Sequence, residues 1–541
     1  MAKFNTRTAR ANVSSPVTTE VTPSGRTFEG APGYARDTKS ELFLLAVANM
    51  VGEDSFYETA DDRDQRFTDL VVAAANQDPD WTAAFLKWLR AEGNMRSAPL
   101  VAAAELVRAK PAGMRTRAVV DSVLQRADEP SEILAYWLSK YGRPIPIALK
   151  RGIADAVVRL YTERSLLKYD SGERSIRFGD VIDLTQPAYH HPEVRGTWRY
   201  DLFGHALDRR HNRDKPIPAS LRMLWARAEL MALPAARRRK VLSQPDVLRE
   251  AGITWEALAG WLQGPMDAAA WEAIIPSMGI FALVRNLRNF DQAGVSDEVA
   301  ERVAATISDR EVVARSRMFP FRFWAAYKHT DSLRWAHALE KALNHSLANV
   351  PALDGRTLIL VDRSPSMFPG YLFSTPNKSD IPLAEQAAVF GAALARRAAA
   401  PTLVEFGGQS RVIPVPKGGS VLKLVEAFGS SDGTDIPSAV ARHFDGHDRV
   451  VIVTDEQTRP GWLPSNMRSH GGRDATRIDD LISKAVPVYM WNMAGYTHAV
   501  TPTGGSNRHA LGGLSDAAFK LIPLLEARRS VGWPWEQASA A

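Results

Sequence analysis

The apolar positions of this chain change their rhythm once, near residue 354. From about Thr38 to Leu347 they recur at helical spacing, with turn signals between the runs. The stretch Ser40–Met50 has a wide apolar face, and helices are expected over 64–77, 80–91, 98–108, 114–126, 130–140 and 145–160. Asp78-Pro79 and Lys110-Pro111 mark breaks between them. No alternation of polar and apolar residues occurs before Asp354. Short helices joined by short turns over such a length predict an α-solenoid of HEAT-like helix pairs. This expectation rests on element spacing, because the sequence shows no crisp period.

Beyond Asn349–Gly355 strand and helix signals alternate. Strands are expected over 357–361, 402–406, 410–415, 450–454 and 488–492, and helices over 382–399, 436–443, 479–484 and 516–529. Apolar, β-branched strands of this kind separated by helices predict a parallel-rich, doubly wound α/β sheet. Three segments follow: a flexible arm over 1–37, a helical-repeat domain over 38–353 and an α/β domain over 354–541.

Composition narrows the class. At 541 residues the chain exceeds what one core supports, in line with more than one domain. It has no cysteine, which excludes disulfides, thiolate metal sites and cysteine nucleophiles and suits a reducing compartment. No apolar run approaches the length of a bilayer span, so a cytoplasmic protein without a membrane partner is expected. The net charge is only +6, but residues 137–240 hold 21 Lys+Arg against 11 Asp+Glu. That excess is either a footprint for polyanions or a solvated helical surface.

The densest chemistry is at Leu358-Ile-Leu-Val-Asp-Arg-Ser-Pro-Ser366. A buried strand there delivers Asp362, Ser364 and Ser366 to the carboxyl edge of the sheet, as hard oxygen donors suited to Mg²⁺ or a similar divalent cation. Thr434 in Ser431-Asp-Gly-Thr-Asp435 and Asp455 at the end of Val450-Val-Ile-Val-Thr-Asp455 arrive at the same edge. These three segments, in this order, resemble the metal-ion-dependent adhesion site of von Willebrand factor A domains. The resemblance implies metal ligands Asp362, Ser364, Ser366, Thr434 and Asp455, with an acidic side chain of a partner protein completing the shell. Asp435 would support the ligands from behind. Arg363 is compatible with a cation only if its guanidinium points away or pairs with an acid.

A helical-repeat region followed by such a domain resembles the TROVE family, the Ro autoantigen proteins. Gly152–Tyr161 with Leu167-Lys-Tyr169, Phe178–Leu184, Met278–Leu287 and Met318–Arg322 are similar to family segments. The resemblance implies a monomeric ring of helical repeats that binds small noncoding Y-like RNAs and misfolded or structured RNAs with single-stranded ends. It also implies an RNA-tethered link to an exoribonuclease such as polynucleotide phosphorylase. Candidate RNA contacts are Lys168, Arg174 and Arg177 in the basic loop, Arg209, Arg210 and Arg213 in a second run, and Arg285 and Arg288 on one helix. Arginine forks hold phosphate without reading sequence. Gln186 stands where family members carry an RNA-binding histidine, and His190 and His191 follow it. Tyr169 is a stacking candidate or a core residue.

No phosphate-binding loop, His–carboxylate cluster or nucleophile elbow occurs, so a binding protein rather than an enzyme is expected. The alternative reading is a protein-binding scaffold in which the divalent site grips an acidic partner.

Overall fold

The computed structural model describes residues 13–48, 51, 54–330, 332–348, 350–368, 381–460, 477–505, 507–527 and 531–537. They form two compact units, one built from residues 1–74, 318–325 and 343–541 and the other from 75–317 and 326–342.

In the first unit a six-stranded sheet comprises β3 (Leu353–Asp362), β4 (Ala398–Phe406), β5 (Ser410–Ile413), β6 (Arg449–Thr454), β7 (Val488–Asn492) and β9 (Arg508–Gly512). Its order is β5-β4-β3-β6-β7-β9, parallel throughout except for β5. Alternate residues serve opposite faces. Leu358, Leu360, Val450, Ile452 and Met490 pack with Ile436 and Val440 on one side. On the other, Trp491 stacks on Phe390 at 4.3 Å and meets Phe519 edge-on. β3 is central: the chain leaves it for β4 on one flank and later returns as β6 on the other. The strand ends at that reversal leave a crevice in which open α/β sheets carry their sites.

The N-terminal segment departs from its expected role as a flexible arm. Residues 1–12 lie outside the described part, but from Val13 onward the chain is docked. A second sheet of order β1-β2-β8 pairs Gly25–Arg26 with Pro32–Ala35, and that strand with His498–Ala499. Val13, Val17 and Tyr34 are buried, and Arg36 forms an ion pair with Glu456 in which neither side chain is exposed. The expected helical domain over 38–353 is likewise corrected at its ends. Helix Thr38–Ala48 belongs with the α/β unit, because Leu42–Ala48 is buried and Leu44 packs against Gly512 of β9.

The second unit is helical, as the spacing of apolar residues predicts. Helices Pro79–Ala91, Ser97–Ala109, Thr116–Val123, Glu129–Tyr141 and Ile147–Leu160 begin or end within a few residues of the expected limits. Asp78 caps the first of these by accepting from the Trp81 amide at 3.0 Å, with Pro79 at the first helical position. Two glycines mark close crossings. A Cβ on Gly152 would lie 2.7 Å from Arg117 O, and one on Gly179 would lie 2.8 Å from Ala206 O. No described helix is long and apolar enough to cross a membrane.

Candidate metal centre and nucleic-acid interface

The crevice of the α/β unit gathers all five expected ligands. Asp362 ends β3, Ser364 and Ser366 follow in a short turn, Thr434 precedes helix Ile436–His443, and Asp455 follows β6. All five are buried. Asp362 Oδ1 accepts from the Ser364 amide at 2.9 Å and Oδ2 accepts from the Thr454 hydroxyl at 2.5 Å. The hydroxyls of Ser364 and Ser366 lie 3.1 Å apart. Asp455 Oδ1 accepts from the Gln457 amide at 3.0 Å, whereas its Oδ2 is buried without a hydrogen-bond partner. An unpaired buried carboxylate oxygen is costly unless a cation or proton meets it.

Burial pushes the Asp362 carboxyl above its ordinary range. It pushes Asp455 up further, with the Asp362 charge adding to the effect. Two carboxylates sealed from water resist joint ionisation, and a divalent cation relieves that resistance. Two carboxylates and three hydroxyls suit a hard divalent ion. No group of three or more His, Cys, Asp and Glu side chains with metal-holding geometry occurs among the described residues.

The neighbours of the motif settle two sequence expectations. Arg363 points away from the crevice: its guanidinium donates to the carbonyls of Gly429 and Ala384 and lies 4.9 Å from the Phe368 ring centroid. Asp435 does not support the ligands. It caps helix Ile436–His443, accepting from the Ser438 amide and hydroxyl at 2.9 and 2.8 Å.

Sequence reasoning missed Glu29 and Tyr57. Hydrogen bonds from Gly30 N to Thr27 O and from Thr27 N to Ala31 O close a tight turn. Thr27 Oγ1 donates to Thr458 O at 2.6 Å, and Gln457 Oε1 accepts from the Phe28 amide at 2.8 Å. The turn brings Glu29 Oε1 to 3.3 Å from the Thr434 hydroxyl and 3.0 Å from the Tyr57 hydroxyl. Burial and then the charges of Glu29 and Asp455 drive the Tyr57 pKa far up, so this hydroxyl stays protonated. No sequence signal marks Glu29, because it lies 405 residues from Thr434.

In the helical unit the expected basic contacts divide into engaged and open groups. Asp170, with a side chain only 1% exposed, holds Arg177 at 2.9 Å and lies 3.7 Å from Arg209. The same carboxylate accepts from the Phe178 amide at 2.8 Å, fixing the start of helix Phe178–Thr185. Burial lowers the Arg209 pKa. Arg210 Nε lies 2.7 Å from both Asp180 oxygens. These three arginines, expected on phosphate, are paired with aspartates that organise the fold. Arg213 shares Asp208 with Lys215, at 3.5 and 3.2 Å.

Gln186 takes a left-handed backbone (φ 48°) between two helices, and its side chain is exposed. His191 bridges Asp155 at 2.7 Å and Glu193 at 3.0 Å, while Arg117 grips Asp155 with two bonds. His190 is partly exposed, and its pKa is lowered by burial and by the charges of Arg151 and Arg117. Beside it Tyr189 is exposed, an aromatic the sequence did not single out. Lys168 is exposed with Nζ 5.1 Å from the Tyr169 ring centroid, and Arg126 lies 5.6 Å from the same ring. Tyr169 is therefore half-buried and flanked by cations, between its two expected roles. Arg174 is exposed, with only a 3.9 Å approach to Glu132.

Arg285 and Arg288 are exposed on helix Ile280–Ala293 and make no ion pair among the described residues. Phe281 is exposed on the same helix at 54% and completes an i, i+4, i+7 row with them. The spacing of these three residues is legible in the sequence. Asn286 faces inward, donating to Ala282 O at 2.8 Å, which is a structural role.

A family model for the TROVE domain matches residues 250–336, the stretch that includes this helix. Among solved structures, the Ro (RSR) protein of Deinococcus radiodurans shares the fold at a TM-score of 0.59. The identity is 16%, over 90% of this chain and 99% of that one. Residues 250–336 are similar to the TROVE domain, and the chain as a whole has a Ro-like fold. No curated protein matches it by sequence. The fold class expected from the sequence, helical repeats followed by an A-type α/β domain, is the one the Ro-like chain adopts.

Proposed function

We propose that this Ro-like protein binds structured noncoding RNA through its helical unit and acts as a binding protein rather than a catalyst. The observation that carries the reading is the row Phe281, Arg285 and Arg288, exposed and free of ion pairs among the described residues, inside the matched TROVE segment. Free guanidinium groups bind phosphate, and an exposed aromatic ring stacks on an unpaired base. Lys168 beside Tyr169, and Tyr189 beside His190 and Arg151, extend the same chemistry. RNAs of the Y type or misfolded RNAs with single-stranded ends, and a cytoplasmic exoribonuclease reached through them, are the partners this reading carries. In the α/β unit Asp362, Ser364, Ser366, Thr434 and Asp455 would hold Mg²⁺, and the cation would supply a Lewis-acidic anchor for a carboxylate.

The test is ultraviolet crosslinking and sequencing of RNA from cells expressing the wild type or R285E/R288E. The wild type is expected to recover a small set of structured RNAs, which the variant loses. Equal recovery by both would remove the assigned surface, and no recovery by either would remove the RNA reading. The unpaired Asp455 oxygen supports a second reading, a scaffold that grips an acidic protein through the cation. It predicts divalent-dependent capture of a protein partner that survives ribonuclease, with no enriched RNA.

A further inference from the structure

A carboxylate of the chain itself lies beside the metal-site candidates. Glu29 sits at the tip of the Thr27–Ala31 turn, within the same compact unit as the five ligands. Its Oε1 rests on the hydroxyls of Thr434 and Tyr57, 3.3 and 3.0 Å away. The turn is fastened on either side of this carboxylate. Thr27 and Ala31 bond to Thr458, and Phe28 stacks on Tyr57 at 4.8 Å and meets Tyr496 edge-on. Further along, the buried Arg36–Glu456 pair and the Tyr34↔Ala499 bridge tie the segment to β8 and to the loop that carries Asp455. Asp455, whose Oδ2 is buried and unpartnered, feels the Glu29 charge.

We propose that Glu29 is an internal ligand of the divalent site, so that the cation is closed by the chain's own N-terminal segment. A partner's carboxylate then has to displace Glu29 rather than fill an open position. Without a cation, Glu29 rests on the hydroxyls of Thr434 and Tyr57. With a cation the opposite charges attract. This inference rests on the metal reading above.

The test uses the full chain and Mn²⁺ as the probe, with affinity measured by electron paramagnetic resonance. Hydrogen exchange over residues 20–36 serves as a second readout. E29Q keeps an acceptor for Tyr57 while removing the charge, and D455N removes the site itself. Wild type is expected to bind Mn²⁺ and to gain exchange protection over 20–36 when it does. E29Q should bind about ten- to a hundredfold more weakly, as loss of a charged ligand implies, and gain no protection. Acetate at high concentration should restore affinity to E29A by supplying the missing carboxylate. If E29Q matches wild type in both readouts while D455N binds nothing, the metal site stands and the Glu29 assignment falls. If wild type binds no Mn²⁺, the metal reading falls and takes the inference with it.

Discussion

Replacing Arg36 by methionine should loosen the whole N-terminal segment. Arg36 Nη2 lies 2.8 Å from Glu456 Oε1 and Nη1 donates to Tyr496 O at 2.6 Å, with neither side chain of the ion pair exposed. Glu456 also accepts from Asn492 Nδ2 at 2.9 Å and from the Val500 amide at 3.1 Å. R36M leaves a buried carboxylate with two neutral donors and no cation. Breaking a buried pair on one side costs roughly 3–5 kcal/mol. At about 1.4 kcal/mol per factor of ten, exchange protection in β2 and β8 should fall by about two to three and a half orders of magnitude. Hydrogen exchange with mass spectrometry of peptides spanning 13–36 and 493–503 reads this directly. R36M/E456Q should recover a large part of the loss, because the unpaired charge goes with its partner. Unchanged protection in R36M, or a double variant no better than the single one, would refute the claim that this pair holds the segment down.

Two further predictions concern pH and the helical unit. His509 is buried, stacks on Tyr489 and contacts Ser15, and burial lowers its pKa to about 4, with the Arg508 charge a lesser cause. The unfolded chain takes up that proton near pH 6.5 and the folded chain only near 4. Stability of the α/β unit is therefore complete above 6.5 and should decline by about 3 kcal/mol as pH falls through this window. H509Q should flatten the acid limb of a melting curve, and an unaltered limb would count against it. In the helical unit D170A strands Arg177, near Arg209, and strips the Phe178 amide of its acceptor. A loss of roughly 3–5 kcal/mol is expected, read as weakened exchange protection in helix Phe178–Thr185; D170N should lose less.

Much of the fold was legible because local pattern and tertiary role agree. Helix Ile436–His443 and strand Val488–Asn492 fall where the sequence puts them. Four of the five metal-site candidates converge because strands rich in Val, Ile and Leu must be buried and parallel, which sends their polar C-terminal residues to one edge, and Thr434 reaches that edge on the loop before helix Ile436–His443. Strand Arg508–Gly512 was missed, since Arg-His-Ala-Leu-Gly has neither β-branched residues nor alternation. The N-terminal segment looked flexible for its Thr, Ser, Pro and Gly content. It is held instead by a few buried residues whose partners lie more than 400 positions away. Counting charge located the basic region, but counting cannot tell Arg177, spent on Asp170, from Arg285, left open.

RNA binding by the helical unit is assigned to open cations. It is tested most directly by titrating a structured RNA with a single-stranded 3′ end at several salt concentrations, for wild type and R285E/R288E. For wild type, the logarithm of affinity should fall linearly with that of salt, and each lost phosphate contact should reduce the slope by about 1. A variant that binds more weakly, with a slope shallower by about 2, agrees with the account. Equal affinity and equal slope in the two proteins would contradict it.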